Sequence, residues 1–227
     1  MANTEIKVLS SIATKEAYNV LVPQFERASG QTVSTTWAGT VDIVKRMAAG
    51  EVHDLIMVSS TEMDELIKQG KVAADSRVDI AKSGIGVAVR AGAPRPDISS
   101  GAALKQTLLA AKTVGYTSGP SGVYMAGLIE RMGIAAEIKP KFRSVPSGGT
   151  IVASGECEIG FQQVSELVHI KGIDYIGPLP AEVQRITVFA SGVHAGAKNP
   201  DGAKALVRFL TAPAADGTIK ATGLERP

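Results

Sequence analysis

Cysteine is almost missing from the chain: Cys157 is the single one in 227 residues. That rules out an intrachain disulfide and a cysteine-cluster zinc site, and the three histidines, His53, His169 and His194, are scattered. No metal and no cofactor are expected. A basic block is lacking too, and a formal charge of +2 gives no stripe able to neutralise several phosphates, so nucleic acid is not an expected partner. The longest apolar runs are about eight residues, against the roughly 20 needed to cross a bilayer, so no membrane insertion is expected. The N-terminus has no charged segment leading into an apolar core. Met1-Ala2-Asn3-Thr4 running straight into a strand fits a mature secreted chain carrying an added Met1 as well as it fits a native start. Gly (24) and Pro (11) are neither scarce nor repetitive, which fits one large or two small folded domains.

What is present is an alternation of strand and helix patterns, the signature of an α/β protein with mainly parallel sheets. Residues 6–9, 31–37 and 55–58 read as strands. The helices between and after them span 14–30, 39–50 and 60–70, with Ala17, Val20, Leu21 and Phe25 at helical spacing in the first. The apolar run 83–90 reads as one strand leading out of a first domain. A second series follows: helices 102–111, 122–132, a short one after Ser147, and 164–170, with strands at 113–116, 141–145, 158–162 and 174–176. Residues 186–193 are again extended, and helices 201–211 and 214–221 close the chain. Two mixed sheets flanked by helices and joined by two extended crossovers are predicted. The lobes are 1–84 with 192–227, and 85–191, with a ligand cleft between them.

Ligands of such sheets bind beyond the carboxyl ends of strands, where helix N-termini offer unpaired backbone N–H groups. Small hydroxyl and glycine residues mark five junctions of this kind: Ser10-Ser11, Gly39-Thr40, Ser59-Ser60-Thr61, Thr117 through Gly122, and Ser147 through Thr150. The same residue types are preferred helix caps, so each junction has a structural reading beside the functional one. Gln162-Gln163 at a strand end offers amide donors, with Ser165 and Glu166 following. The candidate ligand set is Ser10, Ser11, Thr40, Ser59, Ser118, Ser121, Gly122, Gly148, Gly149, Gln162 and Gln163. Oriented neutral dipoles suffice to hold an anion.

Catalytic constellations do not emerge from spacing. Ser83-Gly84-Ile85-Gly86-Val87-Ala88-Val89-Arg90 opens no helix and is not a phosphate loop. His53 reads as a satisfied histidine at a strand start, His169 as a late-helix residue suited to the helix dipole, and Cys157 as a small filler. His194, ending the second crossover, is placed near the hinge.

Lys7-Val8-Leu9-Ser10-Ser11-Ile12-Ala13, Ala48-Ala49-Gly50 before Asp54-Leu55, Ser121-Gly122-Val123-Tyr124 and Glu158-Ile159-Gly160 occur in an order and spacing that resemble one family. It is the molybdate-binding subfamily of periplasmic substrate-binding proteins of ABC transporters. The resemblance covers nearly the whole chain and implies a type II periplasmic-binding-protein fold. It also implies a periplasmic location, a small anionic ligand, an ABC permease as partner, and a monomer. Residues 159–167 and 175–183 resemble a branch that includes an aconitate isomerase, which makes cis/trans isomerisation of aconitate the alternative to a receptor.

The resemblance places the family's first ligand serine on Ala13, its second on Gly39 or Thr40, a backbone donor on Ser121, and its anion-holding tyrosine on Gln163. A tetrahedral oxyanion would lose two donors, at about 1.5–3 kcal/mol each, or roughly two to four powers of ten in affinity. A di- or tricarboxylate is therefore expected to bind more tightly than molybdate.

Overall fold

The computed structural model describes residues 5–117 and 119–227. The chain divides into two compact units, one of residues 1–82 and 187–227 and one of residues 83–186.

In the first unit, β1 (Glu5–Ser11) leads through a single 3-10 turn into α1 (Lys15–Ser29). Gly30 ends that helix with φ 71°, a left-handed conformation that glycine adopts without a Cβ penalty. Then follow β2 (Thr32–Ala38), α2 (Thr40–Ala48), β3 (Leu55–Ser59), α3 (Ser60–Lys68) and β4 (Val78–Ser83). β4 was not anticipated. The run 83–90 is not one strand: the chain breaks at Gly84, between β4 in the first sheet and β5 (Ile85–Arg90) in the second. β4 escapes a sequence reading because only part of it is buried, with Val78 exposed and Ile80 and Ala81 covered.

The second unit continues with α4 (Gly101–Ala110), β6 (Val114–Thr117), α5 (Pro120–Arg131), the one-turn α6 (Ala135–Ile138), β7 (Phe142–Val145) and α7 (Gly148–Ala153). It ends with β8 (Ile159–Gln163), α8 (Val164–Leu167) and β9 (Ile173–Pro178). β10 (Thr187–Val193), α9 (Pro200–Thr211) and α10 (Asp216–Ala221) complete the first unit.

The sheets repeat one plan. The first has the order β2-β1-β3-β10-β4 and the second β7-β6-β8-β5-β9. In each, three parallel strands are followed by an antiparallel strand contributed from the crossover region. Parallel strands put their carboxyl ends on one edge, which each unit therefore has.

Alternation along β1 builds two cores on the first sheet. Ile6 and Val8 join Tyr18 and Leu21 of α1 and Leu206, Leu210 and Ile219 of the terminal helices, whereas Leu9 joins Ile43, Met47, Met63 and Leu66 of α2 and α3. The second sheet is asymmetric. Val87, Val114, Ile159 and Phe161 pack on α4, α5 and α6. The opposite face carries Gly86, Gly115 and Gly160, and a Cβ on these would strike Tyr175 and Leu167, Ile151, and the Gly148 carbonyl. Bare glycine backbone is what lets α7 and α8 lie so close to the strands.

His194 is not where the sequence reading put it. β10 enters the first sheet with Phe189 beside Ser59 and runs antiparallel to β3, so Val193 faces Leu55 at the far end. His194 follows there, with its N–H donating to the Asp54 carbonyl at 3.1 Å, and so lies at the edge opposite the carboxyl ends. His169 lies beyond the end of α8, which stops at Leu167, and is exposed. Cys157 is buried, and burial pushes its thiol pKa up.

Candidate functional site

On the carboxyl edge of the first unit, Ser11 ends β1 opposite Ala38 of β2, and Ser10 pairs with Met57 of β3, two residues before Ser59. The edge thus gathers Ser10, Ser11, Thr40 and Ser59, all buried. Their hydroxyls behave differently. Ser10 shares a hydrogen bond with the Thr14 hydroxyl at 3.0 Å and serves the core. Ser11 accepts from the Ala13 N–H at 3.4 Å, capping the short turn. Ser59 holds the N-cap position of α3 in extended conformation, yet its hydroxyl makes no capping bond. Gly39, the N-cap of α2, has no side chain with which to cap. The hydroxyls of Thr40 and Ser59 are shielded from solvent and have no hydrogen-bond partner among the described residues. Capping explains Ser11 and fails for Ser59 and Thr40. Ala13, where the family resemblance places a ligand serine, is part of the apolar core.

The second unit gathers Ser121, Gly122, Gly148, Gly149, Gln162 and Gln163 at the carboxyl ends of β6, β7 and β8; Ser118 lies outside the described residues. Ser121 bonds the Thr117 hydroxyl at 3.1 Å. Gly122 is required by packing, because a Cβ there would collide with the Thr117 carbonyl oxygen. Gly148 is held in the same way, with the Phe161 carbonyl oxygen 2.6 Å from its Cβ position. Ser147 caps α7, accepting from the Thr150 N–H at 3.2 Å.

Gln162 projects on the glycine face, beneath the start of α7. Its Oε1 accepts from the Gly149 N–H at 3.2 Å and the Ser147 hydroxyl at 3.1 Å. The backbone donor fixes which end of the amide is oxygen, so Nε2 faces the other way and donates to Glu166 Oε2. Glu166 takes part in no ion pair among the described residues. Protein around its carboxyl disfavours the charged form and raises its pKa to about 7, against a smaller lowering by the Gln162 bond. Beside it, the buried Ser165 hydroxyl has no partner, while its N–H donates to the Ser83 hydroxyl at 3.3 Å. Sequence reasoning mentioned Ser165 and Glu166 without placing them in the site. The signal was Gln-Gln-Val-Ser-Glu at a strand-to-helix junction, but the amide pairing that singles out Glu166 depends on α7, remote in sequence.

The two edges therefore offer sheltered hydroxyl donors in one unit and hydroxyl, amide and a carboxyl of raised pKa in the other. Both suit a ligand rich in oxygen acceptors. Among the described residues no cluster of His, Cys, Asp and Glu could hold a metal, and no helix is long and apolar enough to cross a membrane.

Residues 6–225 match the bacterial extracellular solute-binding protein family, and the chain belongs to it. The fold is the type II periplasmic-binding-protein fold. Over 98% of the chain it superimposes on the periplasmic molybdate-binding protein of Azotobacter vinelandii, with a TM-score of 0.82, 17% identity and 99% of that chain covered. The sulfate-binding protein SubI of Mycobacterium tuberculosis gives a TM-score of 0.81 and 18% identity, covering 98% of this chain and 86% of that one. In sequence the chain is 36% identical to an aconitate isomerase of Pseudomonas sp., over 98% of this chain and 88% of that protein.

Proposed function

We propose that the protein binds a small organic polyanion of the di- or tricarboxylate class, as an exported solute-binding protein serving an ABC permease. The observation that carries this is the set of Thr40, Ser59 and Ser165 hydroxyls, each sheltered from water and none bonded to protein. A buried polar group left unpaired costs about 1–3 kcal/mol, and a ligand accepting from it recovers that cost. Each edge by itself offers neutral donors that suit the oxygens of a carboxylate ligand. Because solvent does not reach these hydroxyls, entry requires local opening, and association is expected to be slower than the usual 10⁵–10⁷ M⁻¹s⁻¹.

A thermal-shift screen with citrate, both aconitates, molybdate, tungstate and sulfate tests the ligand class, since binding to the native state alone raises the melting temperature. Carboxylates are expected to stabilise most. Stabilisation by molybdate with none by any carboxylate would overturn the proposal.

A second reading is favoured by the full-length similarity to an aconitate isomerase: the chain moves a proton within its bound tricarboxylate. Nuclear magnetic resonance of cis- and trans-aconitate incubated with purified protein separates the two readings. A receptor leaves the isomer ratio unchanged and an isomerase does not.

A further inference from the structure

We infer that Glu166 is the catalytic acid/base of an allylic proton shift on a bound tricarboxylate, with Gln162 as its positioning residue. This rests on the isomerase reading and deepens it.

A base for such a shift must be tethered, must keep one oxygen available, and must not be locked as a carboxylate by a cation. Glu166 meets all three conditions. One oxygen, Oε2, is held by the Gln162 amide, and Gln162 is itself fixed by the Gly149 N–H and the Ser147 hydroxyl. The other oxygen, Oε1, makes no hydrogen bond among the described residues. The neighbouring Ser165 hydroxyl is a spare donor for a ligand carboxylate.

The elements packed on α8 leave Glu166 without a strong electrostatic partner. α7 and β8 contain no titratable side chain. On β5 the only one is Arg90, whose guanidinium lies against Gly155. On β9, Asp174 accepts from the Gly92 N–H, and the Tyr175 ring lies by Gly86 with a pKa raised by burial. His169 and Lys171 follow on the exposed turn beyond the helix. The raised pKa of Glu166 agrees with this setting, because a group titrating near the working pH both accepts and returns a proton efficiently.

The step balances without any co-reactant. The Glu166 carboxylate removes a proton from the methylene carbon of aconitate. The C–H electron pair becomes the new C=C bond, and the former double-bond pair spreads as an allylic carbanion onto the distal carbon and its carboxylate. The Glu166 carboxylic acid then returns the proton to that distal carbon, so that the double bond has moved and either geometry can result.

The test compares wild-type protein with Glu166→Gln and Glu166→Asp, following aconitate interconversion and, separately, thermal stabilisation by trans-aconitate. Glu166→Gln is expected to lower kcat at least about a hundredfold, within the 10²–10⁴ typical of a general acid/base. Ligand stabilisation should persist, and Asp should restore part of the rate. Active wild type with an undiminished Glu166→Gln rate would overturn the assignment, as would loss confined to Glu62→Gln, a second α-helical carboxyl raised by burial. Inactive wild type that is still stabilised by aconitate would instead defeat the isomerase reading. For Gln162→Leu, the rising limb of the pH–rate profile should move to higher pH, because the amide bond lowers the Glu166 pKa. An unmoved limb would overturn the positioning role.

Discussion

The two units share a strand order and differ in how their carboxyl edges are assembled. In the first, the edge glycine is loose: nothing lies within 4 Å of a Cβ built on Gly39, and the Thr40 and Ser59 hydroxyls touch no polar partner. In the second, glycines are closing points of the packing. Gly122 sits on the Thr117 carbonyl and Gly148 on the Phe161 carbonyl, and Gln162 links Ser147 and the Gly149 N–H to Glu166. One topology thus supports unpaired buried hydroxyls in both units and, in the second, a positioned carboxyl as well. Strand order alone does not specify site chemistry.

The sharpest way to break this comparison is a pair of glycine substitutions. Gly122→Ala forces backbone apart and is expected to destabilise by about 3 kcal/mol or more, at the upper end of overpacking costs. Gly39→Ala, at a helix cap with open space around it, should cost at most about 1 kcal/mol. Chemical denaturation of both variants checks the contrast, and equal effects would remove it.

Next in size is the pH dependence of stability. The folded-state pKa of Glu166 lies above its ordinary value of 4.5, at about 7, so the native protein binds more protons than the unfolded chain between those limits. Its contribution is fully present below pH 4.5 and is lost as pH rises toward 7. The change is on the order of 3 kcal/mol, since one pKa unit corresponds to about 1.4 kcal/mol. Denaturation midpoints from pH 4.5 to 8 should fall more steeply in wild type than in Glu166→Gln.

The smallest stability effect belongs to the first edge. Thr40→Val removes an unpaired buried hydroxyl at nearly constant shape, so the ligand-free protein should be unchanged or up to about 1 kcal/mol more stable. Carboxylate affinity should nevertheless drop roughly tenfold or more. Ser165→Ala should do the same on the second edge, and Gln163→Leu should also weaken binding. A Thr40→Val protein that is less stable and binds normally would show that the hydroxyl serves the fold alone.

Much of this arrangement was legible in the sequence. Strand and helix alternation located the elements, and Ser, Thr and Gly at the junctions marked both edges before any geometry was known. What stayed hidden depends on contacts remote along the chain. Ser59 and Ser147 have equal claims as caps, and only the packed helices show that Ser147 caps while Ser59 does not. Ser10 and Ser11 look interchangeable, but strand alternation turns Ser10 toward Thr14. Glu166 is one of 22 acidic residues until α7, resting on bare glycine, delivers the N–H that orients Gln162.

Titration calorimetry of the purified protein with trans-aconitate and with molybdate, at one pH and salt concentration, addresses the central claim directly. Tighter binding of the tricarboxylate, weakened roughly tenfold by Thr40→Val and again by Ser165→Ala, is the result this account predicts. Submicromolar molybdate affinity with no heat from the tricarboxylate would contradict it.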